Sequence, residues 1–221
     1  MGSIPFTVYD FFSYLAVGGL WLLGVDYVFA LGWILGRDLD AGHAIAWIII
    51  AQVLGHVNSH WSSWLLETRA MRMLGYPSAN FFASMTPRFL RHYRAPLEKE
   101  LGAAILEKYT HESGLHEQGE SLFLFCFHTV KERDARTYTR LETFLNQYAF
   151  ARNMSLALLV LGGVFVAAAV LRDVHHFWAL AAACLMISAT LFLRYLKFFR
   201  HYSLEVFMAF LVTRLPATEH K

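Results

Sequence analysis

Residues 47–66 read WIIIAQVLGHVNSHWSSWLL. The stretch is apolar enough to enter a bilayer, yet it carries Gln52, His56, Asn58, Ser59 and His60. A polar group left unpaired in hydrocarbon costs roughly 2–7 kcal/mol. A helix facing lipid all round would not hold so many. The stretch therefore reads as a membrane helix with one face turned inward, onto protein or water.

Composition agrees with a membrane chain. Apolar residues make up 57% of the 221 positions and charged residues 16%, against about 45–50% and about 25% in soluble domains. The net charge of +2 is small, so its distribution matters more than its sum. The two cysteines, Cys126 and Cys184, fall in a charged segment and an apolar run. A disulfide is not expected, and so sparse a pair offers no metal site. The opening MGSIPFTVYD lacks the basic residue and small-residue cleavage site of a signal peptide. Phe6 stands where myristoylation wants Ser or Thr after Gly2.

Outward from the central stretch, four apolar runs stand out. Phe11–Leu35 is long enough to span with some tilt and is rich in glycine, which lets membrane helices approach closely. Asp26 interrupts it. A short polar turn at 37–42 leads into the second span, His43–Leu66. Met154–Leu171 and Phe177–Leu193 form a second pair around the turn Arg172-Asp173-Val174-His175-His176. Between the pairs, residues 67–153 hold most of the charge. Thr86 and Pro87 suit a helix start, and Pro96 opens another over PLEKELGAAILEKY. In that helix Leu97, Leu101, Ala104, Ile105 and Lys108 share a face. Ser121–Val130 (SLFLFCFHTV) is too short to span and suits a buried or interfacial helix, with a strand as the competing assignment. Residues 135–150 show helical spacing and run without a breaker into the third span. Beyond the fourth span, Leu204–Leu215 is apolar but too short to cross, and it should lie at the interface or pack on the middle domain.

Of the 19 Lys and Arg residues, only Arg37 and Arg172 fall in the two short turns. Basic residues collect on the cytoplasmic side. The chain is thus expected to be an all-α, multi-pass protein of a bacterial inner membrane with both termini cytoplasmic. Its expected parts are a first transmembrane hairpin (1–66), a cytoplasmic helical domain (67–150), a second hairpin (151–193) and a basic amphipathic cytoplasmic tail (194–221).

Candidate chemistry is sparse. Gln52, His56, Ser59, His60 and Ser63 fall on one helical face. Counted from the outer ends, Asp26 comes level with Gln52–Leu54 and reaches Gln52 or His56. Asp26, Gln52, His56, Ser59 and His60 would then form a polar intramembrane track, either a pore lining sensitive to protons or an adhesive seam between helices. Arg152, Arg194, Lys197, Arg200 and His201 are expected at the membrane interface, where long cationic side chains reach headgroups. His56 and His60 have the spacing of a helical metal pair but lack further ligands, because His175-His176 lies at the other end of the spans. No P-loop, GxSxG or HExxH motif occurs. No catalytic residue, metal or cofactor is expected.

Several stretches together carry a resemblance. An opening YDFFSYL run enters a glycine-rich first span, and a cytoplasmic helical insert follows. The pair Arg152-Asn153 enters the third span (FARNMSLALL), and the aromatic-basic RYLKFFRHYSLEVFMAF follows the fourth. The pattern resembles small four-span membrane proteins of bacterial anti-phage defence, of the kind of the Kiwa membrane subunit and the CRISPR-associated HEPN-like membrane accessory proteins. The resemblance implies a homo-oligomeric, non-enzymatic effector or sensor that perturbs the inner membrane by forming a pore or depolarising it. Its implied partners are further copies of itself, anionic lipid, and a cytoplasmic defence protein bound through residues 67–150. Nucleic acid is not among them. Two rival expectations are a membrane anchor that recruits such a partner, and a membrane-bound HEPN-like ribonuclease using Arg194 and His201, whose spacing formally fits R-x4–6-H.

Overall fold

The structure, a computed structural model, describes residues 8–34, 40–83, 90–116 and 119–213, with side chains from residue 11. The expected Thr86–Pro87 helix start, Arg37, the extreme N-terminus and the end of the tail lie outside the described residues. Every regular element among the described residues is helical. In order they are α1 (Val8–Phe29), α2 (Ala41–Ser62), a π-helical stretch (Ser63–Ala70), α3 (Met71–Leu74), α4 (Pro77–Asn80), α5 (Arg91–Arg94), α6 (Lys99–Ser113), α7 (Glu120–Arg133), α8 (Ala135–Arg172) and α9 (His176–Val212). Four helical segments are long and apolar enough to cross a membrane: Phe11–Phe29, Ala41–Asn80, Ala135–Arg172 and His176–Val212. The chain divides into two compact units, Met1–Ala70 with Ala149–Tyr195, and Met71–Tyr148 with Leu196–Lys221.

In the first unit, α1 and α2 approach at glycine. A Cβ on Gly18 would overlap the Ala51 carbonyl oxygen, and one on Gly55 would overlap that of Tyr14. Residue 14 thus faces 55 and residue 18 faces 51, so the two helices run in opposite directions. Val28 of α1 joins a core with Leu161, Phe165, Ala168 and Ala169 of α8 and Phe177 and Ala181 of α9. Helices α8 and α9 are joined by reciprocal bonds: Ser155 Oγ donates to the Ser188 carbonyl (3.0 Å), and Ser188 Oγ to that of Ser155 (2.8 Å).

The first helix stops six residues before the end of its apolar run, at Phe29. Ala30 and Gly32 take left-handed backbone (φ 50° and 64°), which turns the chain back. Buried Asp26 holds this turn, its carboxylate accepting from the backbone N–H of Trp33 (2.8 Å) and Ile34 (3.2 Å). Arg172 donates to the Val28 carbonyl at the same end of α1, a cation placed where a helix terminus favours one.

The second unit is organised by α7 and the end of α9. The 121–130 segment is helix, not strand. Leu122, Cys126 and Val130 recur at helical spacing and are fully buried. Burial pushes the Cys126 thiol up to about 12, with Glu112 adding to the effect. The 204–212 segment continues α9 because no Gly or Pro occurs between 177 and 212. It buries Val206, Phe207 and Phe210 completely, and Phe207 meets the rings of Phe81, Phe82 and Phe123 edge-on. Lys108 closes the end of α9, donating to the carbonyls of Phe210 (2.6 Å), Leu211 (3.2 Å) and Thr213. Helix α6 begins at Lys99, later than Pro96 suggests, because the Leu97 N–H is bound to the Phe81 carbonyl (3.0 Å).

Asp134 starts α8, accepting from the hydroxyl of Thr137 (2.5 Å) and from its backbone N–H (3.1 Å). These bonds, the hydroxyl's first, hold its pKa below the usual carboxylate range. A depressed carboxylate contributes stability above its unfolded pKa, near 4, and that contribution fades as pH falls through the folded value. Amide exchange at residues 135–138 should therefore quicken as pH drops below about 4 by more than intrinsic chemistry explains. Asp134→Asn should remove this excess; an excess that persists in the variant would contradict the assignment.

Candidate functional site

Helix α2 presents two polar faces, and they have different fates. Ala51, Gly55, Asn58 and Ser62 recur at i, i+4, i+7 and i+11 and are buried. This face receives the other helices, because small side chains permit close approach. Asn58 Oδ1 accepts from the Trp21 indole N–H (3.1 Å) of α1, and Asn58 Nδ2 donates to the Asn153 carbonyl (2.9 Å) of α8. Ser62 Oγ donates to the Ser59 carbonyl (3.0 Å) and binds Asn153 Oδ1.

The inward face ends in an ion pair. Arg152, 7% exposed, donates through Nη1 to Glu67 Oε2, within the π-helical stretch. Its Nε and Nη2 both lie 3.4 Å from Asn153 Oδ1. Ser63 Oγ also donates to Glu67 Oε2 (2.9 Å). Glu67, Arg152, Asn153, Ser62, Asn58 and Trp21 thus form one continuous polar ladder through the first unit. A buried charge is tolerated when paired and hydrogen-bonded, and this one is. The π-helical register carries Glu67 to it; such departures from α geometry collect at functional positions.

Four of the five residues expected to form the polar track lie on the other face, and the fifth lies elsewhere. His56 and His60 are exposed, Gln52 and Ser59 half-buried. His56 packs on the Tyr14 ring, with centroids 4.1 Å apart, and its Nε2 is 3.5 Å from Gln52 Nε2. The Gln52 side-chain carbonyl is enclosed but has no hydrogen-bond partner among the described residues. Exposed Ile49, Val53 and Val57 flank this face. Asp26 does not come level with it. The pairs 14–55 and 18–51 place residue 26 opposite about residue 43, roughly 20 Å along the axis from His56. The shift follows from the early end of α1.

The interfacial cations also divide. Arg194, Lys197 and His201 are exposed. Arg152 is not at a surface but inside the ladder. Arg200 donates to the carbonyls of Tyr93 (3.0 Å) and Ala95 (2.7 Å) and sits 4.7 Å over the Phe81 ring, so it holds the chain before α6 rather than a headgroup. Among the described residues no group of three or more His, Cys, Asp or Glu is placed to hold a metal ion.

Sequence patterning left Asn58, Ser62, Glu67 and Asn153 out of the site. The available signal was the 51-55-58-62 spacing of small and short polar residues, one position away from the 52-56-59-63 face. Compared with models of protein families, with curated proteins and with solved structures, the chain matches none.

Proposed function

We propose that the protein is a homo-oligomeric membrane effector of anti-phage defence, sited in a bacterial inner membrane, which depolarises the cell when triggered. In this reading the four apolar helices form two hairpins with both termini cytoplasmic, and the outer face of α2 meets a second copy or lines a water path between copies. The observation that carries it is the enclosed Gln52 side-chain carbonyl, without a hydrogen-bond partner among the described residues, beside exposed His60 on a helix apolar enough to span a membrane. Lipid offers that carbonyl no hydrogen bond, and an unsatisfied buried polar group costs about 1–3 kcal/mol. A neighbouring copy or water removes that cost. The concentration of Lys and Arg outside the two short turns supports the orientation.

A potential-sensitive dye in cells induced to express the protein tests the reading. Wild type should lose most of its membrane potential within the time over which growth stops. His56→Leu and Gln52→Leu should retain the potential while their membrane abundance stays near that of wild type. Growth arrest at full potential would overturn the proposal. So would an unchanged leak in the doubly substituted chain.

A further inference from the structure

All six tryptophans of the chain fall in the first unit. Trp21 is held within it by Asn58. The other five collect at two levels. Trp61 and Trp64, both exposed, meet edge-on where α2 passes into the π-helical stretch, with ring centroids 5.7 Å apart. The Arg69 guanidinium lies 5.0 Å from the centre of the Trp64 ring. At the other end of α2, half-buried Trp47 stacks on exposed Trp33, with centroids 6.0 Å apart. Exposed Trp178 of α9 stands at that same end. There residue 26 of α1 comes opposite about residue 43 of α2, and the next residue, Tyr27, meets the rings of His176 and Phe177.

Trp47 and Trp61 stand 14 residues apart, roughly 21 Å of helix, and Trp64 extends the distance to about 25 Å. Exposed Ile49, Val53 and Val57 lie between the two levels. An indole is a flat apolar body with a single N–H donor, and such rings gather where hydrocarbon meets water. Two levels of them with an apolar band between have the form of a bilayer slab. The band is a few Å shorter than the about 30 Å of a typical hydrocarbon core, a difference that local thinning meets. A patch that docks a protein is one continuous area. The rings at the second level come instead from three separate elements: the chain after α1, α2 and α9.

We infer that Trp61 and Trp64, with Arg69, form one girdle and Trp33, Trp47 and Trp178 another, and that the two anchor the first unit in the headgroup layers of a lipid bilayer. Glu67 follows Trp64 along the chain and holds Arg152, so this ion pair lies outside the hydrocarbon, where charge is least costly. The inference rests on these helices crossing a membrane, and not on the effector function.

Depth-dependent quenching of the full-length protein in phosphatidylcholine vesicles tests it. The lipid carries bromine either near the headgroup end of one acyl chain or near its methyl end. Emission of the wild-type chain should fall more with bromine near the headgroup. Trp61→Phe with Trp64→Phe should remove about two fifths of that quenching, and Trp33→Phe, Trp47→Phe and Trp178→Phe together about three fifths, since rings at a headgroup layer contribute alike. The wild-type comparison stands even where a Phe variant does not insert. Stronger quenching from the methyl end, in a chain that resists alkaline extraction, would overturn the girdles and leave the crossing intact. Quenching from neither position in such a chain would give the rings to a second copy, and the inference would fall. A chain released by alkali would remove the crossing and the inference together. Membrane potential enters none of these readouts, so the depolarising activity is judged separately.

Discussion

Gly18→Leu should disrupt the packing of α1 on α2, whereas Gly19→Leu, one position further, should not. At Gly18 the first carbon of any side chain would occupy the place of the Ala51 carbonyl oxygen. That obstacle is helix backbone, which cannot rotate aside as a side chain can. Overpacking a close-fitted interior costs typically about 1–3 kcal/mol, and an encounter with backbone falls at the upper end, because the helices must part. Gly55→Leu should do the same from the other side, since its Cβ would strike the Tyr14 carbonyl. Parting the helices also moves Trp21 from Asn58, so indole fluorescence should report the change. In detergent micelles the Gly18 and Gly55 variants should unfold at clearly lower denaturant concentrations, and Gly19→Leu at the wild-type midpoint. A wild-type midpoint for Gly18→Leu would mean that α1 and α2 do not meet at these glycines.

Removing Arg152 should produce the second large effect. Arg152→Met takes the guanidinium from Glu67 and two donors from Asn153 Oδ1. Breaking a buried pair on one side costs about 3–5 kcal/mol. Glu67 is partly exposed, with 26% of its side chain accessible, and Ser63 still serves it, so the lower end applies. Arg152→Lys should recover little, because an ammonium cannot meet Glu67 and Asn153 with a planar fork. Replacing both partners, Glu67→Leu with Arg152→Met, removes the stranded charge along with its partner. The double variant should unfold nearer to wild type than Arg152→Met does, with a coupling above about 1 kcal/mol in the cycle. Simple additivity of the two single effects would show that the pair does not act as a unit.

Much of the architecture was legible because it depends on composition along the chain. Long apolar runs, the absence of Gly and Pro between residues 177 and 212 and the breaker-free approach to Met154 favour long helices, and α8 and α9 are 38 and 37 residues long. The cooler features were not legible in that way. Where α1 ends depends on a tertiary event, the capture of two loop amides by Asp26, and hydropathy counts Leu31–Ile34 as span regardless. An error of six residues at that end moved every level along α1 relative to α2, and the supposed meeting of Asp26 with His56 went with it. Which face of α2 the other helices enclose was not legible for a related reason. Polarity marks Gln52–His56–Ser59 and Asn58–Ser62 alike, and only the partners decide which is enclosed. Those partners, Asn153 and Arg152, lie more than 80 residues away. Arg152 and Arg200 looked like headgroup contacts because a cation beside an apolar run usually is one. Both are instead held by oxygen atoms of their own unit.

The position of Asp26 also bears on how such a chain is made. A nascent span is admitted to the bilayer on its own composition, before any tertiary partner exists. An aspartate at the centre of a span then carries a penalty of about 2.5–3.5 kcal/mol. Asp26 stands three residues from the end of α1, where, in the proposed membrane topology, its carboxylate can remain at the aqueous surface during entry. The same acid is later enclosed by the turn it organises, with 3% of its surface left accessible. In the proposed membrane topology, biosynthesis thus meets a first span whose acid stands at its end, and the finished protein keeps that acid enclosed.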